Sequence, residues 1–294
     1  MRSLLYCVPA PLNAALGLWK INKMFSRNYR LLTQEGHLTM SSLLGGLNSL
    51  RNANIDEIHR GLFYSGLFEL ATGFERLMKI VLILDHQLKN HLKNPTNKEL
   101  KAFGHNIKDL FEKCSLLPQA YGLRQELSLD DKQTKIVSTL TEFAKGSRYY
   151  NLDVLTDHNK NEDPISLWLS VIDDHIWGLR SDVRTKLQND AIQAIDRSGM
   201  ASSWQQNVDG EWMTMLDFYY LMSATEKANP HVVWSVIEIL RPFYGLLRYQ
   251  CHELHELYAL NGKENEIPYM YEFFPFFLTP KSSALRKKQW VWGK

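Results

Sequence analysis

The densest cluster of chemistry-bearing residues is Cys251-His252-Glu253-Leu254-His255-Glu256. Cys251 and His255 are four apart and share a helix face, which invites a metal reading. The two histidines are three apart, which is not the His-Glu-x-x-His spacing of zinc hydrolases, and no second ligand cluster accompanies them. No metal is expected. Arg248 and His255, with six residues between them, stand close to two helical turns apart on one face. With Glu253 and Glu256 they also read as a surface ion cluster. His105, Asn106 and Asp109 form a second polar group. Near Arg148 and Tyr149 in a folded bundle, they would offer a cation for a nucleotide phosphate, an imidazole and a ring for a base. The same residues also read as bundle buttresses, with Arg148 paired to Glu75 or Asp109. Asp173-Asp174-His175 reads as a solvated face, because adjacent carboxylates diverge on a helix. The tail from Lys281 to Lys294 has five bases, no acid, and both Trp290 and Trp292. Lys287 and Trp290 would suit the phosphate and base of single-stranded RNA, or would pack the tail onto the body.

Other chemistries lose support. The chain has no Walker A loop, no GxGxxG and no Gly-x-Ser-x-Gly elbow, and no cofactor is expected. Cys7, Cys114 and Cys251 are odd in number and widely spaced, which argues against a disulfide framework and for a reducing cytoplasm. A net charge of +2 removes the electrostatic case for a general nucleic-acid coat. Hydrophobic residues at 45% and charged residues at 22% describe a globular chain, not a disordered one. No apolar run is long enough to span a bilayer. Residues 1–23 are mostly apolar, but Pro9, Pro11 and Asn13 interrupt them, which makes a poor signal peptide. They read either as part of a chain that starts at Met1 or as a weakly ordered extension ahead of an alternative start at Met24, and the sequence is compatible with both.

The elements that must position these residues are helical. Phe63, Leu67, Leu70, Phe74, Leu77, Val81 and Leu84 follow at alternating spacings of four and three, predicting a helix over 56–90. Phe103, Ile107, Leu110, Phe111 and Cys114 predict a second over 97–114. Ile136, Leu140 and Phe143 predict a third after Asp130-Asp131, broken at Gly146. After a polar loop over 156–162, Asp163-Pro164 opens a fourth that continues to Ser198-Gly199. Residues 205–211 read as a polar connection. A fifth helix covers 212–228, stopped by Asn229-Pro230, and a sixth covers 232–260, with a kink at Pro242. Residues 268–280 read as irregular, and strand signals are nearly absent. The fold class is all-α: a four-helix bundle over 56–198, an N-terminal extension over 1–55, and a C-terminal helical region over 199–294 with an aromatic-rich segment and a basic tail.

Three stretches within residues 56–195 resemble a HEPN domain, a helical module of prokaryotic defence and toxin–antitoxin systems. Phe63-Tyr64-Ser65-Gly66-Leu67-Phe68-Glu69-Leu70 through Glu75-Arg76-Leu77-Met78-Lys79 resembles its first long helix. Gly104-His105-Asn106-Ile107-Lys108-Asp109-Leu110-Phe111 resembles the element opening its second. Arg148-Tyr149-Tyr150, after the third helix, resembles the Arg-Tyr-Pro element before its fourth. The resemblance implies a homodimer that binds RNA or a nucleotide, or cleaves RNA without metal. Cleavage in the family uses Arg-x(4–6)-His: Arg holds the phosphate, and His exchanges a proton with the 2′-OH or the leaving oxygen. Arg148 has no His at that distance, since His158 lies too far along. The spare pairs are Arg248 with His255 and, less suitably, Arg30 with His37. The alternative is a non-catalytic nucleotide-binding or protein-interaction module, such as an antitoxin-like partner.

Overall fold

The computed structural model describes residues 25–124, 126–157, 162–199, 202–207 and 211–292. Residues 1–23, Met24, Cys7 and most of the loop around His158 lie outside them, as do Asp209 and Gly210. The fold is 73% helix, with one two-stranded sheet among the described residues.

Two long helices form its spine. Ser26 caps α1 (Arg27–Asn52) by accepting from the Tyr29 N–H. Helix α2 (Gly61–Lys89) runs back antiparallel to it. All seven residues of the α2 stripe are fully buried. The two backbones approach closely because glycines meet leucines. A Cβ on Gly46 would lie 2.6 Å from Leu70, one on Gly66 2.6 Å from Leu50, and one on Gly73 2.6 Å from Leu43. Residues 27–52 are therefore a core helix of the body.

Two predicted helices are each divided. The second becomes α3 (Asn97–Ala102) and α4 (Ile107–Ser115). Gly104 has φ +82° there, a conformation that favours glycine, and Asn106 restarts the chain as an N-cap. A short α5 (Leu117–Ala120) follows, then α6 (Asp131–Lys145), which Asp130 opens with a capping box. A 3₁₀ turn, Ser147–Tyr149, leads into α7 (Tyr150–Leu155). The predicted fourth helix becomes α8 (Pro164–Trp177) and α9 (Ser181–Ser198). Cations close the end of α8: Arg184 Nη1 donates to Trp177 O at 3.0 Å, and Lys132 Nζ donates to Asp174 O at 2.7 Å.

Two other expectations are corrected. The polar connection belongs to a hairpin, in which β1 (Ser202–Gln206) pairs antiparallel with β2 (Trp212–Thr214). The predicted fifth and sixth helices are one helix of 46 residues, α10 (Met215–Leu260), with Pro230 and Pro242 inside it. Proline costs a helix interior ~3 kcal/mol. Here Ala224, Ala228, Val232, Val233, Val236 and Ile237 are all buried across the first proline, and Asn229 Nδ2 donates to Ala53 O at 2.7 Å. Tertiary burial outweighs the local penalty.

Residues 270–278 form two 3₁₀ turns, Met270–Phe273 and Pro275–Leu278, followed by α11 (Lys281–Ala284). One buried cluster takes members from α1, the central helices, α10 and the tail, so the described parts of 1–55, 56–198 and 199–294 share a core. No helix among the described residues is long and apolar enough to cross a membrane.

Candidate functional site

Arg148 lies just past α6 and lines a cavity of about 460 Å³ with residues of α1, α2 and α6. Helical spacing on α2 turns Phe68, Glu75, Arg76 and Lys79 toward the cavity, and α1 contributes Leu32 and Glu35. Both acids are already engaged. Glu35 pairs with Arg76. Glu75 takes Lys79 Nζ at 2.8 Å and lies 2.9 Å from His105 Nδ1. Arg148 donates Nη2 to Ala144 O at 2.7 Å and has no ion-pair partner among the described residues. The expected pairing of Arg148 with Glu75 or Asp109 is therefore not formed. Apart from Thr72 the remaining walls are apolar, with Ile80, Ile83, Leu100 and Phe143, and Phe68 is 52% exposed beside them.

The sequence-predicted residues divide here. Arg148 is in the cavity wall, and His105 reaches it through Glu75. Asn106 is a helix cap, its Oδ1 accepting from the Lys108 and Asp109 N–H groups at 3.1 and 3.3 Å. Tyr149 is exposed and does not line the cavity. The sequence reading missed Phe68, Arg76 and Lys79, although all three sit in the stretch resembling the first HEPN helix.

The spare catalytic pair does not assemble. His255 lies under Tyr269, ring centroids 4.2 Å apart, and its buried Nε2 has no hydrogen-bond partner among the described residues. Burial, with His252 nearby, holds its pKa below the usual histidine value. Arg248 is exposed in an open groove with Arg124, Tyr249 and His252. The groove's histidine is thus His252, one turn from Arg248, a neighbour that helical spacing of four signals. Neither Arg248 nor His255 forms an ion pair with Glu253 or Glu256 among the described residues. Cys251 points into the core, its Sγ accepting from the Met270 N–H at 3.3 Å, and burial pushes its thiol up to about 12. No group of three or more potential metal ligands occurs among the described residues. His37 packs edge-on to Phe273 at 4.9 Å, on the exposed side of α1.

Of the two readings of the tail, packing onto the body is the one formed at Trp290, and the solvated-face reading of His175 is corrected. Trp290 is 1% exposed: its backbone N–H donates to Asn48 Oδ1 at 2.7 Å, its backbone carbonyl accepts from Asn48 Nδ2 at 2.8 Å, and Lys287 Nζ lies 5.1 Å from its ring. The tail is docked on α1, and this indole has no free face for a base. Among the described residues, the exposed indoles are Trp177, Trp204, Trp212 and Trp292. His175 is not on a solvated face. It is buried, with Nδ1 2.8 Å from Val171 O and Nε2 2.9 Å from Ser235 Oγ. Asp174 pairs with Lys135, and Asp173 is exposed.

Compared with family models, curated proteins and solved structures, the chain matches none. The HEPN resemblance accordingly rests on the residues quoted above.

Proposed function

We propose that this chain is a HEPN-like, non-catalytic nucleotide-binding protein whose ligand occupies the cavity between α1, α2 and α6. One observation carries the reading: Arg148, without a carboxylate partner among the described residues, shares a cavity with the exposed ring of Phe68. The guanidinium would take the phosphate through paired N–H donors, and Phe68 would offer its face to the base. With the neighbouring acids neutralised by Arg76 and Lys79, an anion meets little repulsion. The homodimer and the role in defence come with the resemblance. Titration with nucleoside mono-, di- and triphosphates tests the site. At least one should stabilise the protein to heat, and Arg148→Ala should abolish the effect. If none binds, or if Arg148→Ala binds as before, the reading fails.

A second reading has its own support. Arg124, Arg248, Tyr249 and His252 share one groove, a combination suited to an RNA phosphate and a stacked base. RNA incubated with the protein in EDTA distinguishes the two. Cleavage that disappears in Arg248→Ala or His252→Ala would favour a ribonuclease reading over the binding one.

A further inference from the structure

A second cavity, of about 310 Å³, lies at the opposite end of the α2 stripe and shares no lining residue with the first. Its walls are Phe63 at the start of α2, Ile165 and Leu169 on α8, Leu221 on α10 and Met213 on β2. Phe63 and Ile165 are fully or almost fully buried, so the cavity opens directly off the core. The hairpin supplies one wall through Gln205, Gln206 and Asn207. The volume falls at the lower end of the range for small-molecule sites, ~300–1,000 Å³.

Two charged groups interrupt this apolar lining. Arg60 comes from the turn before α2, and Asp173 comes from α8. They do not form an ion pair, and neither side chain has a hydrogen-bond partner among the described residues. The nearby serines are already engaged: Ser166 Oγ donates to Asp163 at 2.9 Å, and Ser170 Oγ donates to Leu167 O at 2.8 Å. Opposite charges that line one apolar cavity without meeting each other are complementary to a ligand carrying both. A fatty acid would satisfy Arg60 and leave its carboxylate opposed by Asp173. An apolar amine would be opposed by Arg60. A zwitterion uses both charges and leaves its side chain for Phe63, Ile165, Leu169, Met213 and Leu221.

We propose that the cavity between α2, α8 and the hairpin binds a free α-amino acid with a large apolar side chain, its carboxylate on Arg60 and its ammonium on Asp173. The inference is independent of the nucleotide reading.

Isothermal titration of the full chain tests it, with L-leucine, L-phenylalanine, L-leucinamide, N-acetyl-L-leucine and octanoate as probes. Leucine or phenylalanine should bind. Leucinamide lacks the carboxylate and N-acetyl-leucine lacks the ammonium, and each should bind at least about tenfold more weakly than leucine. Arg60→Gln should lower leucine binding to the level of leucinamide, and Asp173→Asn to that of N-acetyl-leucine. Arg60 and Asp173 are not buried, so both variants should keep the helical circular dichroism of the parent. Leu169→Trp, which fills the cavity, should remove binding. If that variant fails to fold, the two charge variants decide. The proposal is overturned if neither amino acid binds at millimolar concentration, if octanoate binds as tightly as leucine, or if both charge variants bind leucine like the parent.

Discussion

Asn106 and Arg148 separate two roles that one motif can serve. Asn106 Oδ1 satisfies two N–H groups at the start of α4, so Asn106→Ala should lower stability by about 0.5–2 kcal/mol in chemical denaturation. It should leave nucleotide affinity unchanged. Arg148 is exposed and, among the described residues, hydrogen-bonded only to the Ala144 carbonyl, so Arg148→Ala should alter stability by less than about 0.5 kcal/mol and remove nucleotide binding. Affinity lost in Asn106→Ala with stability intact would reverse the assignment. The sequence could not make this division. An Asn before an apolar helical stripe signals a cap as well as a polar ligand, and the choice depends on whether its oxygen faces its own helix. Arg148 was legible from its place in the order of motifs. Phe68, Arg76 and Lys79 were not, because their cavity exists only where α1 and α6 meet α2.

At the scale of elements, the helical stripes were legible because burial follows the helical period: every α2 stripe residue is inside. The breaks were not. They rest on single features such as Gly104 with φ +82°, or on distant cations such as Lys132 and Arg184 that close α8. The α1–α2 crossing was also hidden, since glycines at its contacts carry no hydrophobic signal. It gives a sharp contrast. At Gly73 a Cβ would lie 2.6 Å from the fully buried Leu43, whereas at Gly61 nothing lies within 4 Å. Gly73→Val should destabilise by about 1–3 kcal/mol through overpacking. Gly61→Ala should stabilise by about 0.4–1 kcal/mol by restricting the unfolded chain. Urea midpoints measure both, and a Gly73→Val variant as stable as the parent would show that the helices can separate at little cost. The tail supplies a similar pair. Trp290→Ala should cost about 3–5 kcal/mol as a buried truncation, and Trp292→Ala, at an indole 59% exposed, should change stability by less than about 0.5 kcal/mol. A reversed order would mean that the tail is not docked on α1.

For the molecule as a whole, one buried and one half-buried histidine contribute to how stability responds to acid. His175 on α8 and His231 on α10 both have pKa values held below the usual 6.5. Burial is the main cause, and Lys132 opposes the charged form of both. Val171 O, Ser235 Oγ, Lys132, His231 and Asp174 are the polar groups that face His175; the Val171 carbonyl and Asp174 favour its charged form, while Lys132 and His231 join burial in opposing it. Because the neutral ring at His175 must donate from Nδ1 to Val171 O, its Nε2 is left to accept from Ser235. Protonation would have to place a charge in that interior. The unfolded chain therefore takes up protons near pH 6.5 that the folded chain refuses until lower pH. Stability is thus fully present above pH 6.5 and falls as pH drops below it, by at most about 1.4 kcal/mol per pH unit for each linked proton. Melting temperature should hold level from pH 8 to 7 and decline from pH 6.5 toward 5. His175→Asn keeps a donor for Val171 O and does not titrate, so it should melt lower at pH 8 and decline less steeply in acid. An identical decline in His175→Asn would place the acid-sensitive proton at His231 or at another group in the interior.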